Sequence, residues 1–470
     1  MSRDSPASSS SPAPRRPLPW TLLVLAGPII ASMVSRTAMG LVDFVMVSRL
    51  GTEAQAAIVP AGIVLFTFIA FGFGVVSAVN TLVAQCYGRG EPEAAAAYTW
   101  QGLWVSAGLG VVAVGLWPLV PGVIGTAGHA PEVERMEVVY IQIGLLAVFP
   151  VVGAATVANF FNGIHRPMIG LWATLIANTF NVAANYALIF GHWGFPAMGI
   201  EGAAWATTIS AGINFSVTVL WFIRPSLNRA YAVLAGWRLQ RDRMARALKI
   251  GLPAGVHFAA DISAFTAFTL WIVGRFGTEE LAANNIMMKF FEVAIIPCAG
   301  MAIAVSSAVG KAIGEGDLAR ARRFAHWGEG MGMVYLAVAG VFFLLTGPGL
   351  VGTLTDSPAV IDRARDLLLV MVMFIAFDAT QMIYSSALRG AGDTLWPATV
   401  TPIAAVVLML GGGWAAMTYI PQFGAVGPWL ALTVYVMVLA LAFVGRFVRG
   451  RWEHIDLSEA APPVAAVTAP

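Results

Sequence analysis

One acidic side chain, Asp378, lies near the middle of an apolar stretch that covers residues 371–394. A charged side chain at the centre of a membrane helix costs roughly 2.5–3.5 kcal/mol on insertion scales, so such residues usually face a bundle interior or a wet cavity and mark ion or substrate paths. Phe374, Gln381 and Ser385 share the face of Asp378 at helical spacing. The stretch therefore predicts an interior binding position at Asp378.

A second interior carboxylate, Asp261, shares a helix face with His257 and Phe265 in another apolar stretch. Carboxylate oxygens bind hard cations, and a carboxylate in a low dielectric prefers to hold a proton. Two such acids suit a single monovalent cation. We therefore expect Asp261 and Asp378 to bind H⁺ or Na⁺ and to release it when a substrate cation arrives.

The amino-terminal half offers a different polar set. Asp43 lies towards the end of the first apolar stretch, with Arg36 two turns earlier on the same face, and Asn178, Asn181 and Asn185 line one face of a later stretch. The amides either coordinate a cation or bond a neighbouring acid, or they are hydrogen-bonding groups between helices. Arg36 and Asp43 either pair with each other or line a cleft.

Lys289 and Glu292 complete the set of charged residues that we expect inside apolar stretches. Their i, i+3 spacing allows them to pair on one helix, and the alternative is that they line a substrate cleft.

The composition determines which elements must position these residues. The 470 residues are 58% hydrophobic and 11% charged, and the mean hydropathy is +0.77, whereas soluble domains are about 25% charged. The chain is therefore expected to be an all-α integral membrane protein. The net charge of +2 gives no indication of a nucleic-acid partner, and Cys86 and Cys298 are expected to be small core residues rather than metal ligands.

Crossing a bilayer takes about 20 apolar residues. Twelve segments satisfy this requirement. They are 18–48, 54–85, 95–120, 134–160, 168–190, 201–223, 245–275, 280–311, 322–346, 359–387, 395–419 and 425–448.

Basic residues concentrate on one side of these spans. Apart from Arg36 and Lys289, which lie within spans, most of the 27 Lys and Arg residues fall on the side of the amino terminus. The other side holds Arg49, Arg135, Arg275, Arg363 and Arg365. Because cytoplasmic loops carry the excess of basic residues, both termini are expected in the cytoplasm.

The chain divides into two related halves. Gly51-Thr52-Glu53 reappears as Gly277-Thr278-Glu279, and three further segments reappear in the same order at offsets near 226. They are 88–91 with 314–317, 131–133 with 358–360, and 199–203 with 424–428. Six spans per half make a parallel repeat, and substrates of such folds bind between the halves.

The predicted domain limits follow from the spans. We expect a disordered cytoplasmic tail (1–17), an amino-terminal lobe (18–223), a basic cytoplasmic linker (224–244), a carboxy-terminal lobe (245–449) and a cytoplasmic tail (450–470) around a central cleft.

Enzyme signatures are missing from the sequence: it contains neither H-E-x-x-H, nor G-x-S-x-G, nor a Walker sequence. Without a nucleotide-binding motif or any cofactor, transport is expected to use an ion gradient.

Five motifs carry a resemblance to a known family. They are Gly251-Leu252-Pro253 before Asp261, Val309-Gly310-x-x-x-Gly314-x-Gly316-Asp317-x-x-x-Ala321-Arg322, Leu388-Arg389-Gly390-x-Gly392-Asp393-Thr394, Asn181-x-x-x-Asn185-Tyr186, and Asp43 with Val45-Met46-Val47. With them the chain resembles the MATE (multidrug and toxic compound extrusion) family, most closely its NorM-type bacterial branch, over nearly its whole length.

The resemblance implies a twelve-helix, two-lobed, monomeric antiporter of the bacterial inner membrane that expels cationic, amphipathic drugs and dyes against H⁺ or Na⁺. The resemblance implies that Asp261 and Asp378 form the cation site. It also implies that Asp43, Asn181 and Asn185 correspond to the functional polar residues of the family's amino-terminal lobe. Two positions depart from the family pattern, since Asp261 replaces the usual Glu and Phe374 stands where Na⁺-coupled relatives often have Tyr. The shorter Asp261 leaves the ion selectivity open, and Phe374, which lacks a hydroxyl ligand, favours H⁺.

A flippase for lipid-linked oligosaccharides is the alternative. It shares a related two-lobe plan, but it requires a strongly basic cleft for a diphosphate, and this chain offers only Arg36 and Lys289 within its spans.

Overall fold

The computed structural model describes residues 17–126 and 128–457, and α-helices make up most of the described chain. Eleven helices are long and apolar enough to cross a membrane, and a pair of helices bent by 43° supplies a twelfth span. The all-α, twelve-span prediction is therefore confirmed. The expected disordered tail falls almost wholly in residues 1–16, and residues 458–470 end the expected carboxy-terminal tail; both segments lie outside the described residues.

Six spans form the amino-terminal half. They are α1 (Leu18–Ser48), α2 (Thr52–Arg89), α3 (Pro92–Gly115), the bent span α4 (Pro131–Leu146 followed by Val148–Gly163), α5 (Met168–Phe190) and α6 (Ile200–Phe222).

Six further spans form the carboxy-terminal half. They are α7 (Arg241–Trp271), α8 (Thr278–Gly314), α9 (Leu318–Leu354), α10 (Pro358–Ala391), α11 (Leu395–Ala404, a π-helical segment Ala405–Gly411 and Gly412–Tyr419) and α12 (Val426–Val448).

Several helices extend beyond the predicted apolar spans. The helix over predicted residues 280–311 covers Thr278–Gly314, and the one over 322–346 covers Leu318–Leu354. Helices continue past the apolar segment because backbone hydrogen bonding does not require apolar side chains, and local signals set their ends. At the start of α9, for example, Asp317 Oδ1 accepts a hydrogen bond from the Arg320 backbone N–H at 2.9 Å.

The repeat predicted from the sequence reappears in the backbone. Gly51 and Gly277 precede α2 and α8 with φ of 115° and 98°, and Gly199 and Gly424 share φ of 58° and 55°. Only glycine adopts these conformations without strain. The two lobes are therefore structural repeats.

A matching turn ends the fourth span of each half. Arg166 N donates to Phe161 O at 2.7 Å, and Asp393 N donates to Leu388 O at 2.9 Å, exactly one repeat later at an offset of 227. His165 and Gly392 occupy the left-handed position of these turns, with φ of 61° and 92°. The turn is thus preserved although its residue types differ.

The lobes meet along α2, which packs against α7 and α8, and along α1, which packs against α8. Small residues permit this approach: a Cβ on Gly74 would lie 2.6 Å from the Ala254 carbonyl oxygen, and one on Gly314 would lie 2.1 Å from the Gln85 carbonyl oxygen.

We call the contact between the two lobes the seam. Hydrogen bonds join the lobes across the seam at the end where basic residues concentrate. Thr81 Oγ1 donates to Arg389 O at 2.8 Å, Gln85 Nε2 to Gly390 O at 3.1 Å, and Ser307 Oγ to Asn162 O at 2.6 Å. The lobes are closed together at the basic end.

The segments outside the spans pack on the lobes. The predicted linker contains a short helix, Pro225–Tyr231, and α3 holds the segment after it, because Trp100 and Trp104 donate indole N–H groups to Val233 O and Trp237 O at 2.8 and 2.9 Å. The start of the carboxy-terminal tail is similarly anchored, since Trp452 is buried and stacks on Phe447 at 5.0 Å.

Candidate functional site

Asp261 and Asp378 lie together inside the carboxy-terminal lobe. Asp261 on α7 accepts a hydrogen bond from the Tyr435 hydroxyl of α12 at 3.1 Å. Asp378 on α10 accepts one from Gln381 Nε2, one turn along the same helix, at 3.3 Å. Asp378 is buried and interacts electrostatically with Asp261, so the fold brings the two acids into one region as the sequence predicts.

One free amide oxygen lies close to Asp378. In the described structure the buried Gln381 Oε1 has no hydrogen-bond partner. Each carboxylate receives one hydrogen bond from the groups named above, which leaves lone pairs free on both acids. An arrangement of carboxylate and amide oxygens without a basic partner can hold a proton or a small hard cation.

Tyr435 is a site residue that sequence reasoning missed. It lies on the last span, far from Asp261 in sequence, and nothing in the local pattern connects the two. The only signal was its own chemistry, because a phenol within an apolar span needs a hydrogen-bond partner when it is buried.

The polar residues of the amino-terminal lobe form a separate chain of hydrogen bonds. Asn185 Nδ2 donates to Asp43 Oδ1 and also to Asn181 Oδ1, the latter at 2.8 Å. Within the described residues, the buried Asn185 Oδ1 and Asn181 Nδ2 lack partners. Of the three alternatives for the amides, the geometry of Asn185 fits two, because its amide bonds a neighbouring acid and that bond also joins α5 to α1.

Arg36 does not pair with Asp43. Its guanidinium lies 6.0 Å from the centre of the Phe73 ring, and the Asn178 amide donates to Ser35 Oγ at 2.8 Å. Arg36, Phe73 and Asn178 line a cavity of about 210 Å³ between α1, α2, α4, α5 and α6. Arg36 therefore lines a cavity within the amino-terminal lobe, whereas the sequence predicts a substrate cleft between the two lobes.

The remaining candidates are spread over the carboxy-terminal lobe. Lys289 and Glu292 pair with each other at 3.1 Å, and both side chains are exposed. Phe374 is buried against Phe291 and Trp429, with ring centres 5.3 and 5.6 Å away. His257 is buried beside Phe258, and Phe265 lies 6.4 Å from Phe268. Among the described side-chain contacts of these residues, none reaches the carboxylate of Asp261 or Asp378.

Glu329 is a third interior acid that the sequence reading passed over, although it falls inside the predicted span 322–346. It lies on α9, and its Oε1 accepts a hydrogen bond from Thr380 Oγ1 of α10 at 2.6 Å. One turn earlier, His326 Nδ1 lies 2.9 Å from the Tyr384 hydroxyl. These contacts join α9 to α10.

Comparison with known proteins gives one consistent family. The family model MatE matches residues 28–187 and 253–414. The chain is 32% identical over 434 residues to "Probable multidrug resistance protein NorM" of Rhizobium meliloti (strain 1021), a match that covers 91% of this chain and 92% of that protein. It is 30% identical over 455 residues to a protein of the same name from Pseudomonas aeruginosa, covering 93% and 90%.

A solved structure shares the fold. The structure titled "Outward-facing conformation of a multidrug resistance MATE family transporter of the MOP superfamily" superposes with a TM-score of 0.85 at 20% identity, over 93% of this chain and 97% of that one.

Proposed function

Because this chain belongs to the MATE family, we propose that it is a secondary active antiporter that exports cationic, amphipathic compounds in exchange for H⁺ or Na⁺. The chain is a multidrug efflux transporter of the NorM type and not an enzyme, and it is a multi-pass membrane protein. The coupling ion, the residues that bind it and the orientation in the membrane are what we propose beyond the family assignment.

The acid pair in the carboxy-terminal lobe carries this proposal. Asp261 and Asp378 share an interior region with a free amide oxygen and without a described basic partner. Interior acids in membrane proteins are costly and are retained where they bind ions. In the proposed cycle, H⁺ or Na⁺ neutralises the pair in one state of the lobes, and its release is coupled to substrate binding in the cleft. Asp43, Asn181 and Asn185 are the alternative coupling site.

The orientation follows from the basic residues. With the basic end in the cytoplasm, both termini are cytoplasmic and the chain lies in a bacterial inner membrane as a monomer, without a nucleic-acid partner. The lobes are closed at that end, so the cleft opens away from the cytoplasm, the state in which a substrate leaves and an ion enters.

The deciding experiment uses purified protein in lipid vesicles loaded with ethidium, with either a proton or a Na⁺ gradient imposed alone. We expect one of the gradients to drive dye transport, and we expect Asp261→Asn and Asp378→Asn to lower this transport at least about tenfold, because each variant loses one of the two carboxylates that the coupling ion neutralises. Glu329→Gln is the matched control, since it neutralises an interior acid that lies outside the pair, and it should retain most transport.

Two outcomes would overturn the proposal. If both aspartate variants transport dye at the wild-type rate under the same gradient, the acid pair does not couple transport. If wild-type protein instead moves labelled lipid between leaflets and moves no dye, the protein is a lipid flippase and not a drug antiporter. The structure gives that reading little support, since Lys289 is already paired with Glu292.

A further inference from the structure

The linker that joins the two lobes lies against the side of α3 just before α7 begins. The buried Gln101 of α3 donates from Nε2 to Arg238 O at 3.1 Å and accepts from the Gln240 backbone N–H at 3.0 Å. Trp104, also on α3, donates to Trp237 O at 2.9 Å. Trp104 lies twelve residues into the helix, a rise of about 18 Å from its first residue. The end of the linker therefore lies alongside a membrane-spanning helix and not beyond its end.

Large apolar side chains of the linker point away from the protein. Leu234, Trp237 and Leu239 are 53%, 51% and 58% exposed. A group of exposed apolar residues of this size marks an interaction surface, and Trp is enriched at the level of the lipid headgroups. Because the linker is held alongside a membrane-spanning helix, we infer that lipid covers these side chains.

The first turns of α7 present a face that matches a lipid in the order of its groups. Arg241, Ala245 and Lys249 follow one another at i, i+4 and i+8, and all three are exposed. Leu252 and Val256 continue the same face and are also exposed. The face thus changes from basic to apolar between Lys249 and Leu252. A phospholipid has the same order, with a charged headgroup followed by acyl chains.

The basic groups of this surface have no partner within the described structure. Residues 224–249 contain seven basic residues and a single acid, Asp242. Among the described residues, no ion pair or side-chain hydrogen bond involves Arg238, Arg241 or Lys249. Clusters of basic residues beside a membrane helix recognise anionic headgroups, and a guanidinium matches a phosphate through two parallel hydrogen bonds. The charge of the surface is therefore complementary to an anionic phospholipid.

We propose that Arg238, Arg241 and Lys249 bind the phosphate of an anionic phospholipid in the cytoplasmic leaflet, whose acyl chains pack along the apolar part of the α7 face and beside Trp237. This site lies on the lipid-facing surface of the protein, apart from the acid pair and from the cavity that Arg36 lines. Only the assignment to the cytoplasmic leaflet rests on the proposed orientation.

Competition between two lipids tests the proposal. Purified protein in detergent is titrated with phosphatidylglycerol or phosphatidylcholine of the same chain length, and bound lipid is counted by native mass spectrometry. We expect the wild type to prefer phosphatidylglycerol. The double variant Arg238→Gln with Arg241→Gln should lower this preference roughly twentyfold, because each basic residue near an anionic lipid contributes about fivefold.

Arg323→Gln with Arg449→Gln is the matched control, because it removes two exposed arginines from the same end of the protein at other helices and should leave the preference unchanged. An unchanged preference in the Arg238 and Arg241 variant overturns the inference, and so does an equal loss in the control, since net charge alone would then explain it. Displacement of phosphatidylglycerol by millimolar inorganic phosphate would show a site for free phosphate and would also overturn it.

A second measurement locates the lipid without any charge variant. A bimane label on Leu239→Cys reports contact with brominated lipid through quenching of its fluorescence. We expect brominated phosphatidylglycerol to quench the label more strongly than brominated phosphatidylcholine, and equal quenching contradicts the site. Neither measurement involves transport, so the proposed export function and the lipid site fail separately.

Discussion

Charged residues within the spans of this chain differ in the partners that the protein gives them. Lys289 and Glu292 satisfy each other, and Asp43 accepts from Asn185. Asp378 receives only a long hydrogen bond of 3.3 Å from an uncharged amide, and Arg36 contacts an aromatic ring. Asp378 and Arg36 have the weakest partners within the protein. They would therefore gain most from contact with a transported ion or substrate.

The amide of Gln381 is expected to assist ion binding at Asp378. Its Nε2 orients the carboxylate, and its free Oε1 offers one further ligand within the site. Gln381→Leu removes both, and polar contacts between membrane side chains contribute about 0.6 kcal/mol on average and up to about 1.7. If the coupling ion is Na⁺, we therefore expect the concentration that half-saturates transport to rise roughly three- to twentyfold. If it is H⁺, we expect this concentration to fall, because the Nε2 hydrogen bond stabilises the charged carboxylate that a proton must neutralise.

Initial transport rates measured against H⁺ or Na⁺ concentration give this value. Gln381→Asn, which keeps an amide on a shorter side chain, is the matched control and should lie between wild type and Gln381→Leu. A half-saturating concentration that is unchanged in Gln381→Leu would show that the amide contributes nothing to the ion site.

The acids of the site could be predicted from the sequence, whereas their partners could not. Asp378 and Asp261 are recognisable because each is alone in an apolar run, which is a local property. The Tyr435 contact and the separation of Arg36 from Asp43 depend on how distant helices pack. A single sequence does not contain that information in its spacing.

The sequence predicts the helices and their order best. The thickness of the bilayer sets how many apolar residues a membrane-spanning helix needs, and such runs are visible in the sequence. The bend within α4 and the π-helical segment of α11 were not predicted. Pro402, which lies just before the π-helical segment, has no backbone N–H to donate to the preceding turn. Its position was visible in the sequence, but the way the helix adjusts was not.

The turn after α4 is expected to make stability depend on pH. Burial and the nearby Lys311 ammonium lower the pKa of His165 from 6.5 to about 3, so the folded protein holds this imidazole neutral. The unfolded chain takes up a proton below pH about 6.5, and the folded chain does not. His165 therefore contributes full stability above that pH, and stability is lost as the pH falls from about 6.5 towards 3.

Thermal unfolding of detergent-solubilised protein across this pH range measures the effect. His165→Asn is the informative variant, because Asn tolerates the left-handed backbone and does not titrate. Its unfolding midpoint should fall less steeply with acidification than that of the wild type. Parallel curves for the two proteins would show that His165 is not responsible.

At the scale of the whole molecule, the two lobes are repeats whose interior polar residues have diverged. The acid pair belongs to the carboxy-terminal lobe, and the cavity that Arg36 lines belongs to the amino-terminal lobe. Backbone turns remain matched at Gly51 and Gly277, because the fold requires them, while the interior polar residues differ. Under the antiport that we propose, exchange of an ion for a substrate requires the seam between the lobes to open and close.

Gly74 is expected to control this seam. A Cβ added there would lie 2.6 Å from the Ala254 carbonyl oxygen of α7, so Gly74→Ala forces α2 and α7 apart. Overpacking of this kind costs about 1–3 kcal/mol. Because the closed seam defines only one state of the cycle, the variant should shift the lobes towards the state that is open at the basic end, by roughly tenfold or more in population.

Gly62→Ala on the same helix is the matched control, since its Cβ would meet open space and Ala favours a helix by about 0.5–1 kcal/mol over Gly. The readout is a Ser307→Cys reporter, placed where Ser307 bonds Asn162 across the closed seam, together with a membrane-impermeant maleimide applied to everted vesicles. We expect faster labelling and slower dye transport in Gly74→Ala than in Gly62→Ala. Equal labelling in both would mean that close packing at Gly74 does not hold the lobes together, and the seam would then depend on its hydrogen bonds alone.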